Sequence, residues 1–430
     1  MLLTQNRTTT AHRIIFIAGI ALLFATSLAT TAIADEYHYR NSLIGDRAAG
    51  LGSAYTAVSD DPSGLFYNPA GIVYASGANM SASMNSYQQT TLTYEDVLGN
   101  QYDWSRNSST LLPNFFGIIQ PLDKGIFGFS YAVPNSIKED QDQIFPNITA
   151  SIDRFIINFN NEDTTYNFGP SYAIEINDKL SLGATLYMHI RQQQRTSNIL
   201  LEYGSGARFW SNEYYELEET GFKPVLGLMW TPKERISIGA TLSQINITDS
   251  ETTRHETCEG ASTIVYDASS FCQSSQIKHR VRIDTTKSDQ PLNLNIGVAY
   301  FHSKDLMLSG DISYYSSIDS TTDPKESVIN LAIGAEYYIN PRMVLRGGFY
   351  TDMANTPDLT TNVTAYNQSE HIDLYGISAS LGHFTRSSSL SFGLSYAMGT
   401  GKAQMISGDS TLQDATLESL TIYISASNSI

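Results

Sequence analysis

The sequence is poor in cysteine. Among 430 residues there are two, Cys258 and Cys272. A zinc centre needs further ligands at metal spacing, and these are missing around both residues. The surrounding segment is polar and rich in Ser and Thr, so in an oxidising compartment the two cysteines are predicted to form a disulfide that staples a loop. Two free thiols are the alternative.

Charge is scarce, and positive charge most of all. Only 16% of the residues are charged, and the formal net charge is -17. Nucleic acid binding requires a basic surface, so this composition excludes nucleic acid as a partner. Aromatic residues make up 11% of the chain, and 26 residues are Tyr. Low charge with many aromatic residues fits a lipid-facing β-barrel, which carries aromatic girdles at both membrane interfaces.

Long hydrophobic runs are missing after the N-terminus. Residues 14–24 form an apolar run that follows Arg7 and Arg13, and small residues precede Asp35. This pattern predicts a secretory signal peptide over residues 1–34. A membrane anchor is the alternative, but the apolar run is shorter than the roughly 20 residues of a spanning helix. The remaining chain is predicted to cross no membrane as helices.

Apolar and polar residues alternate over long segments after residue 110. In residues 180–190 every even-numbered position is apolar and every odd-numbered position is polar or small, and the pattern recurs in four later segments, 236–243, 292–300, 329–337 and 390–397. A tilted strand crosses the hydrocarbon in about 9–11 residues. Strands of soluble sandwiches are usually shorter, at about 5 or 6 residues. The alternation therefore predicts transmembrane strands.

Short polar turns alternate with long polar stretches, as in a barrel with periplasmic turns and extracellular loops. The long stretches predicted as loops are 137–163, 250–277 and 353–370. The pattern predicts about fourteen antiparallel strands, an even number as bacterial barrels require. The predicted spans are 78–94, 110–121, 126–136, 164–176, 180–202, 211–230, 236–252, 277–301, 306–317, 327–339, 343–352, 371–384, 389–405 and 415–428.

Residues 35–76 do not read as membrane strands. They are rich in small residues, with helix starts and stops close together. Asp61 and Pro62 can begin a short helix, and Asn68-Pro69 can end it. We therefore predict an all-β fold: a transmembrane barrel over residues 77–430, with a small helical hatch over residues 35–76 inside its lumen.

Three hatch segments resemble the N-terminal hatch of the FadL/TodX family of outer-membrane transporters. They run Gly50-Leu51-Gly52-Ser53-Ala54-Tyr55, then Asp60-Asp61, then Asn68-Pro69-Ala70. The resemblance implies passive uptake of small hydrophobic molecules of the long-chain fatty acid or aromatic hydrocarbon type, in a bacterial outer membrane. The implied partners are membrane lipid and the hydrophobic ligand, and no cofactor is implied.

The resemblance also implies a mechanism. Extracellular loops capture the ligand, the hatch N-terminus shifts, and the ligand leaves sideways through a kink in the third strand. Gly128 and Pro134 of the predicted third strand are candidates for this lateral gate, since Pro removes a ladder hydrogen bond and Gly weakens a strand. Alternatively, Pro134 simply ends the strand. Residues 35–40 would be the mobile trigger.

Charged residues occur on predicted lumen faces. Asp311, Glu336 and Arg346 lie on three consecutive strands, where they either bind a ligand head group or tie the wall to the hatch. His189 and Arg191 either meet a carboxylate or form part of a polar lumen lining.

Two other functions are alternatives to transport. A non-transporting FadL-like barrel would serve as a docking or secretion partner at the cell surface, and a lumen filled by loops would favour it. An enzyme is not predicted, because the sequence has neither a nucleophile elbow nor a metal-ligand cluster.

Overall fold

The computed structural model describes residues 38–97, 102–149, 152–260, 276–320, 324–361, 370–404 and 412–429. The predicted signal peptide and Cys272 lie outside these ranges. Within them, no helix is long and apolar enough to cross a membrane.

Sixteen antiparallel strands form one sheet. Their bounds are β1 Asn79–Tyr94, β2 Trp104–Leu122, β3 Gly125–Thr149, β4 Ile152–Asn177, β5 Leu180–Tyr203, β6 Arg208–Lys233, β7 Ile236–Ser243, β8 Asn246–Glu259, β9 Lys278–Asp284, β10 Asn293–Phe301, β11 Leu306–Tyr315, β12 Val328–Asn340, β13 Met343–Asp352, β14 Leu374–Phe384, β15 Ser388–Ala403 and β16 Gln413–Ser429.

The sheet closes into a barrel. Strand β1 pairs with β16, β5 pairs with β6, and β7 pairs with β10. Of the sixteen strands, β8 and β9 are not counted in this ring. Strand β8 pairs with the part of β6 that lies beyond β7, and β9 pairs with β8. Fourteen strands remain in the ring, which confirms the predicted barrel.

Two predicted strands are each divided in the structure. The prediction over 236–252 becomes β7 and β8, and the prediction over 277–301 becomes β9 and β10. The alternation changes phase at both breaks: apolar residues pass from even-numbered positions in β7 to Ile245 and Ile247, and the polar stretch 284–291 precedes the even-numbered apolar residues of β10. The physical reason lies in the pairing, since β7 leaves its partner β10 at Ser243.

The barrel wall is much taller on one side. Strands β3 to β6 have 24–26 residues each, whereas β10, β11 and β13 have 9 or 10. The loop predicted over 137–163 is wrong, because β3 and β4 pair there as far as Thr149 and Ile152. These extensions rise beyond the membrane and carry polar residues on both faces, which hides the alternation. The loop predicted over 250–277 is also partly wrong, because β8 continues to Glu259.

The outer face of the barrel is apolar. The alternating residues of β5, Leu182, Leu186 and Met188, are 40–51% exposed, while their neighbours Ser181, Thr185 and Tyr187 are buried. The same outward pattern occurs on β6, β10, β12 and β14. An apolar outside with a polar, buried inside is the arrangement that a bilayer requires of a barrel.

The hatch fills the periplasmic half of the lumen. It contains three short helices, Asp46–Gly50, Gly64–Tyr67 and the 3₁₀ helix Pro69–Tyr74. Five of its large apolar side chains are fully buried, namely Ile44, Leu51, Tyr55, Leu65 and Ile72. The 3₁₀ helix ends at Tyr74 and β1 begins at Asn79, close to the predicted boundary between hatch and barrel.

Candidate functional site

Glycines of the barrel wall allow the hatch backbone to touch it. They occur as pairs directly opposite each other on neighbouring strands: Gly183 with Gly227, Gly239 with Gly297, and Gly334 with Gly348. A Cβ at five of these positions would overlap hatch atoms, mainly of Leu51, Thr56, Asn68 or Pro69. At Gly297 it would overlap the Asp311 carboxylate of the wall and lie tightly against the hatch. We call these six residues the glycine belt. The belt closes the lower lumen because it leaves no room for side chains between hatch and wall.

The hatch motif Asn68-Pro69-Ala70 anchors the hatch to the belt. The Asn68 side chain is fully buried and donates to the carbonyl oxygens of Thr56 at 2.8 Å and Leu228 at 3.1 Å. Its Oδ1 accepts from the Ala70 amide at 3.1 Å, which caps the 3₁₀ helix with Pro69 at the first position. This one residue therefore links two hatch segments to β6.

The other hatch motif residues also make close contacts. Gly50 lies against Arg346 and Ser380 of the wall. Gly52 adopts a φ of 61°, in the left-handed region that favours glycine, and it contacts the backbone of Phe349. The Asp61 carboxylate accepts from the Ser63 amide at 2.8 Å, and burial raises its pKa.

A buried ion network joins the hatch to strands β12 and β13. Arg47 donates to Glu336 through Nε at 2.8 Å and Nη2 at 2.9 Å, and it also pairs with Asp60. Arg346 donates to the same Glu336 at 2.7 Å and lies 3.7 Å from Asp46. Burial alone lowers the pKa of Arg47, but the Asp60 and Glu336 carboxylates outweigh it and hold that pKa well above its ordinary value.

Asp311 makes a second tie between wall and hatch. Its Oδ2 accepts from the amides of Tyr55 and Thr56 at 2.9 and 2.8 Å. Asp311 and Glu336 therefore contact hatch residues, and Arg346 contacts Glu336 and lies near Asp46 of the hatch, which is the geometry that the second predicted alternative describes.

The segment that leads into the hatch is bound to the wall by polar contacts. The amides of Tyr39 and Arg40 donate to the Asp352 carboxylate at 3.3 and 2.9 Å. The Tyr39 ring stacks on the Tyr315 ring, with 3.9 Å between the ring centres. Arg40 also donates to Ser313 at 2.7 Å. Of the predicted trigger, residues 35–37 lie outside the described ranges and residues 38–40 are held in this way.

A partly apolar cavity lies between this segment and the extracellular end of the barrel. Its lining includes Arg40, Arg106, Glu139 and further polar residues together with six aliphatic side chains, Leu43, Leu92, Ile137, Leu374, Ala397 and Leu417. Three of them also belong to a large buried cluster above, whose aromatic members are Tyr94, Trp104, Phe145, Phe155 and Phe209. We call these two features the apolar chamber and the aromatic cluster.

The barrel wall is unpaired beside the apolar chamber. Strands β2 and β3 pair from Leu122 with Gly125 up to Phe115 with Ala132, and above this they meet only at the single pair Ser108 with Glu139. Residues 109–114 and 133–138, all of which the structure describes, have no ladder partner across this boundary. The register is the same below and above, so Pro113 comes opposite Pro134. Since neither proline has an N–H to donate, the two strands cannot form a regular ladder there.

A second, polar cavity extends on the other side of the Tyr39 segment. Arg191 donates to Asp163 at 3.1 and 2.7 Å, and His189 shares a hydrogen bond of 2.9 Å with Asn167. These residues line the cavity together with Lys223. His189 and Arg191 are therefore already partnered within the wall, as the predicted polar lining requires.

Comparison with known proteins identifies the family of this chain. No curated protein sequence matches it. The profile described as outer membrane protein transport protein (OMPP1/FadL/TodX) matches residues 45–422. The chain belongs to this family. A family member lies in the bacterial outer membrane, and outer-membrane transport is the family's function.

Solved structures of FadL/TodX proteins share the fold. The Pseudomonas putida toluene transporter TodX superposes with a TM-score of 0.64 at 13% identity, covering 89% of this chain and 97% of its own. A Pseudomonas aeruginosa FadL homologue gives 0.60 at 14% identity, covering 93% and 100%. The Ralstonia pickettii toluene transporter TbuX gives 0.60 at 14% identity, covering 91% and 99%.

In this FadL-family chain, only one of the two predicted gate residues lies in the unpaired part of the wall. Pro134 lies in the unpaired stretch, and β3 continues past it to Thr149, so the alternative that Pro134 ends the strand is wrong. Gly128 is paired on both sides, with Ile119 and Ser171, and it packs against the hatch residue Leu65. It makes room for the hatch and does not break the wall.

Three residues of the site, Arg106, Glu139 and Pro113, were not predicted from the sequence. Arg106 donates to Glu139 at 3.0 and 2.8 Å, both side chains are buried, and the guanidinium lies 4.6 Å from the centre of the Phe159 ring. Glu139 lay in a predicted loop and Arg106 lay before the predicted second strand, so no signal joined them. Pro113 was visible in a predicted strand, and a proline there was the available signal for a break.

Only one cysteine of the predicted disulfide lies within the described residues. Cys258 is buried near the end of β8 and is not a free thiol. Its predicted partner Cys272 lies outside the described residues, so the pairing stays a prediction. Within the described residues, no grouping of His, Cys, Asp and Glu could hold a metal ion.

Proposed function

We propose that this FadL-family chain takes up small hydrophobic molecules passively, of the long-chain fatty acid or aromatic hydrocarbon type, and releases them sideways between β2 and β3. The observation that carries the proposal is the unpaired wall beside the apolar chamber. Ser136 and Ile137 belong to both features. Two similar solved proteins are named as toluene transporters, which supports a hydrophobic ligand.

Capture begins at the extracellular end. The aromatic cluster lies on the tall part of the wall, and it shares Leu92, Leu374 and Leu417 with the apolar chamber below. A hydrophobic molecule gains about 25 cal/mol for each Å² of apolar surface removed from water. Contact with this continuous apolar surface therefore draws the ligand from the extracellular end into the chamber.

The hatch prevents straight passage. Below the chamber, the glycine belt holds the hatch backbone against the wall, and the network of Arg47, Glu336 and Arg346 fixes it there. Breaking a buried ion pair by removing one partner costs about 3–5 kcal/mol. A route downward would disrupt several such contacts, whereas a route sideways meets a wall that lacks its ladder bonds.

The leading segment of the hatch touches both edges of the unpaired wall. Asn114 of β2 donates to the Leu43 carbonyl at 2.9 Å, and Asn41 donates to Asn135 of β3 at 3.1 Å. Both wall residues lie in the unpaired stretches. A shift of residues 41–43 would therefore release both edges at once, which couples hatch movement to lateral exit.

The gap lies at the right height for release into the membrane. Strand β3 begins at Gly125 and the unpaired stretch begins at residue 133. A tilted strand crosses the hydrocarbon in about 9–11 residues. The gap therefore starts at the outer boundary of the hydrocarbon, where an apolar molecule can enter the lipid without crossing the polar surface.

The proposal is tested by restoring the wall. The double variant Pro113→Thr/Pro134→Thr returns two N–H donors to the β2–β3 ladder. We expect uptake of radiolabelled hexadecanoate or toluene by cells that rely on this chain to fall severalfold below wild type. The control Pro121→Thr changes a proline in the paired part of β2 and should leave uptake unchanged.

The same assay separates the docking alternative. Cells with and without the wild-type chain should differ in uptake of at least one of the two molecules. Equal uptake of both would overturn the proposed function and favour a barrel that only docks a partner. Full uptake by the double proline variant would leave transport intact but place the exit elsewhere.

A further inference from the structure

The wall contains a second unpaired region, five strands away from the first. Strands β7 and β10 pair only up to Ser243 with Asn293, and β8 and β9 pair again from Thr252 with Asp284. Residues 244–251 and 285–292, all described, have no ladder partner across this boundary. Side-chain contacts replace the ladder here: Gln244 donates to the Gln290 carbonyl at 2.9 Å.

The polar cavity reaches this second region from inside. Its lining includes Gln244 and Ile245 on one edge, and Gln290 and Pro291 on the other. The same cavity extends across the lumen to Pro134 and Asn135 at the first gap. One polar space therefore connects two openings in the wall.

Lys223 supplies an unused positive charge in this cavity. Its ammonium lies 5.1 Å from the centre of the Phe66 ring of the hatch, and it makes no ion pair with any residue that the structure describes. The neighbouring cation Arg191 is paired with Asp163, and the nearby Glu219 accepts from Ser288 at 2.6 Å. A half-buried cation without a carboxylate partner is suited to an anionic group brought by a ligand.

The height of the opening matches the place of an amphiphile's head group. Strands β7 and β10 have 8 and 9 residues. A tilted strand needs about 9–11 residues to cross the hydrocarbon, so the opening begins at the outer interface. There an amphiphile keeps its charged end in a polar layer and its chain in an apolar one.

We propose that the opening between residues 244–251 and 285–292 is a side entrance for amphiphiles with an anionic head group, and that Lys223 is the counter-ion of that group. This entrance rests on the proposed transport function and gives the anionic ligands of that function their own way into the barrel and their own counter-ion. It also gives the polar cavity a role that a neutral hydrocarbon does not need.

The counter-ion is tested by binding of decanoate and of decan-1-ol to the purified full chain in nanodiscs, measured by calorimetry. A charge-assisted hydrogen bond contributes enough for Lys223→Met to weaken decanoate binding about tenfold. Decan-1-ol binding should not change, and Lys223→Arg should retain most of the decanoate affinity. The control Lys304→Met alters an exposed periplasmic-turn lysine and should have no effect. Equal loss for acid and alcohol, or no loss for either, would overturn the counter-ion role.

The entrance is tested by blocking it. Gln290→Cys labelled with a bulky maleimide should slow decanoate association severalfold, while the label at Ser205→Cys, in the exposed β5–β6 turn, should not. Cys258 is not a free thiol, so it should not react. Equal association rates for both labelled variants would overturn the entrance. Toluene uptake by unlabelled wild-type cells tests the proposed transport function separately.

Discussion

The lower and upper halves of the lumen are built in opposite ways. In the lower half, hatch backbone contacts the glycine belt, and charges such as Arg47 and Glu336 are paired. In the upper half, two stretches of wall lack ladder bonds, cavities adjoin both, and Lys223 has no carboxylate partner among the described residues. Barrels usually pair every backbone group exposed to lipid. The contact between hatch and wall closes the lower half, whereas the upper half has the unpaired wall and the cavities on which the proposed binding and passage depend.

The largest expected effect lies in the lower half. Arg47→Met leaves Glu336 and Asp60 without their shared partner and should destabilise the hatch by about 3–5 kcal/mol, the usual cost of breaking a buried ion pair. Thermal unfolding of the purified protein measures this. The control Arg154→Met removes an exposed pair with Glu202 and should cost less than about 1 kcal/mol. Similar unfolding curves for both variants would show that the network does not hold the hatch.

A somewhat smaller effect is expected in the glycine belt. Gly183→Val places a side chain where the backbone of Pro69 and Ala70 now lies. Overpacking of this kind costs about 1–3 kcal/mol, and the hatch should lose contact with β5. Influx of a small polar sugar into proteoliposomes should rise. Gly310→Val, which meets its nearest atom at an ordinary 3.7 Å, should stay as tight as wild type.

The smallest effect on stability is expected in the upper half. Asn114→Ala removes the hydrogen bonds to Leu43 and Ser83, a loss of about 1 kcal/mol. Uptake of hexadecanoate should nevertheless become faster, because the leading hatch segment is released more easily. Asn158→Ala, which removes an exposed bond to Asp142, serves as the control. Slower uptake by Asn114→Ala would show that this contact does not restrain the gate.

Sequence alone predicted the parts that depend on local alternation. The membrane-crossing parts of the strands could be read from residues such as Leu182 and Leu186, because a closed barrel in lipid forces every second side chain outward. The hatch motif at Asn68-Pro69-Ala70 was also visible, because its resemblance is carried by consecutive residues. Both depend on neighbours in the chain.

The remaining features depend on residues that are distant in the chain. The extended hairpin of β3 and β4 carries polar residues on its inner face as well as its outer face, among them the buried Glu139 and Asn161, so no simple apolar alternation marks it. The pairing of Arg106 with Glu139 and the meeting of Pro113 with Pro134 follow from the register between β2 and β3. The register is set by the turn at Leu122–Gly125 and by packing on the hatch. Neither can be predicted from the sequence of a single strand.

The most direct test of the contrast between the halves is photo-cross-linking of bound hexadecanoate carrying a diazirine at the end of its chain. Light-induced adducts, located by peptide mass spectrometry, report where the chain end lies in the wild-type protein. The account predicts adducts within residues 109–114 and 133–138, beside the apolar chamber. Adducts concentrated on Leu51, Thr56 and Pro69, inside the glycine belt, would place the route through the lower half and contradict it.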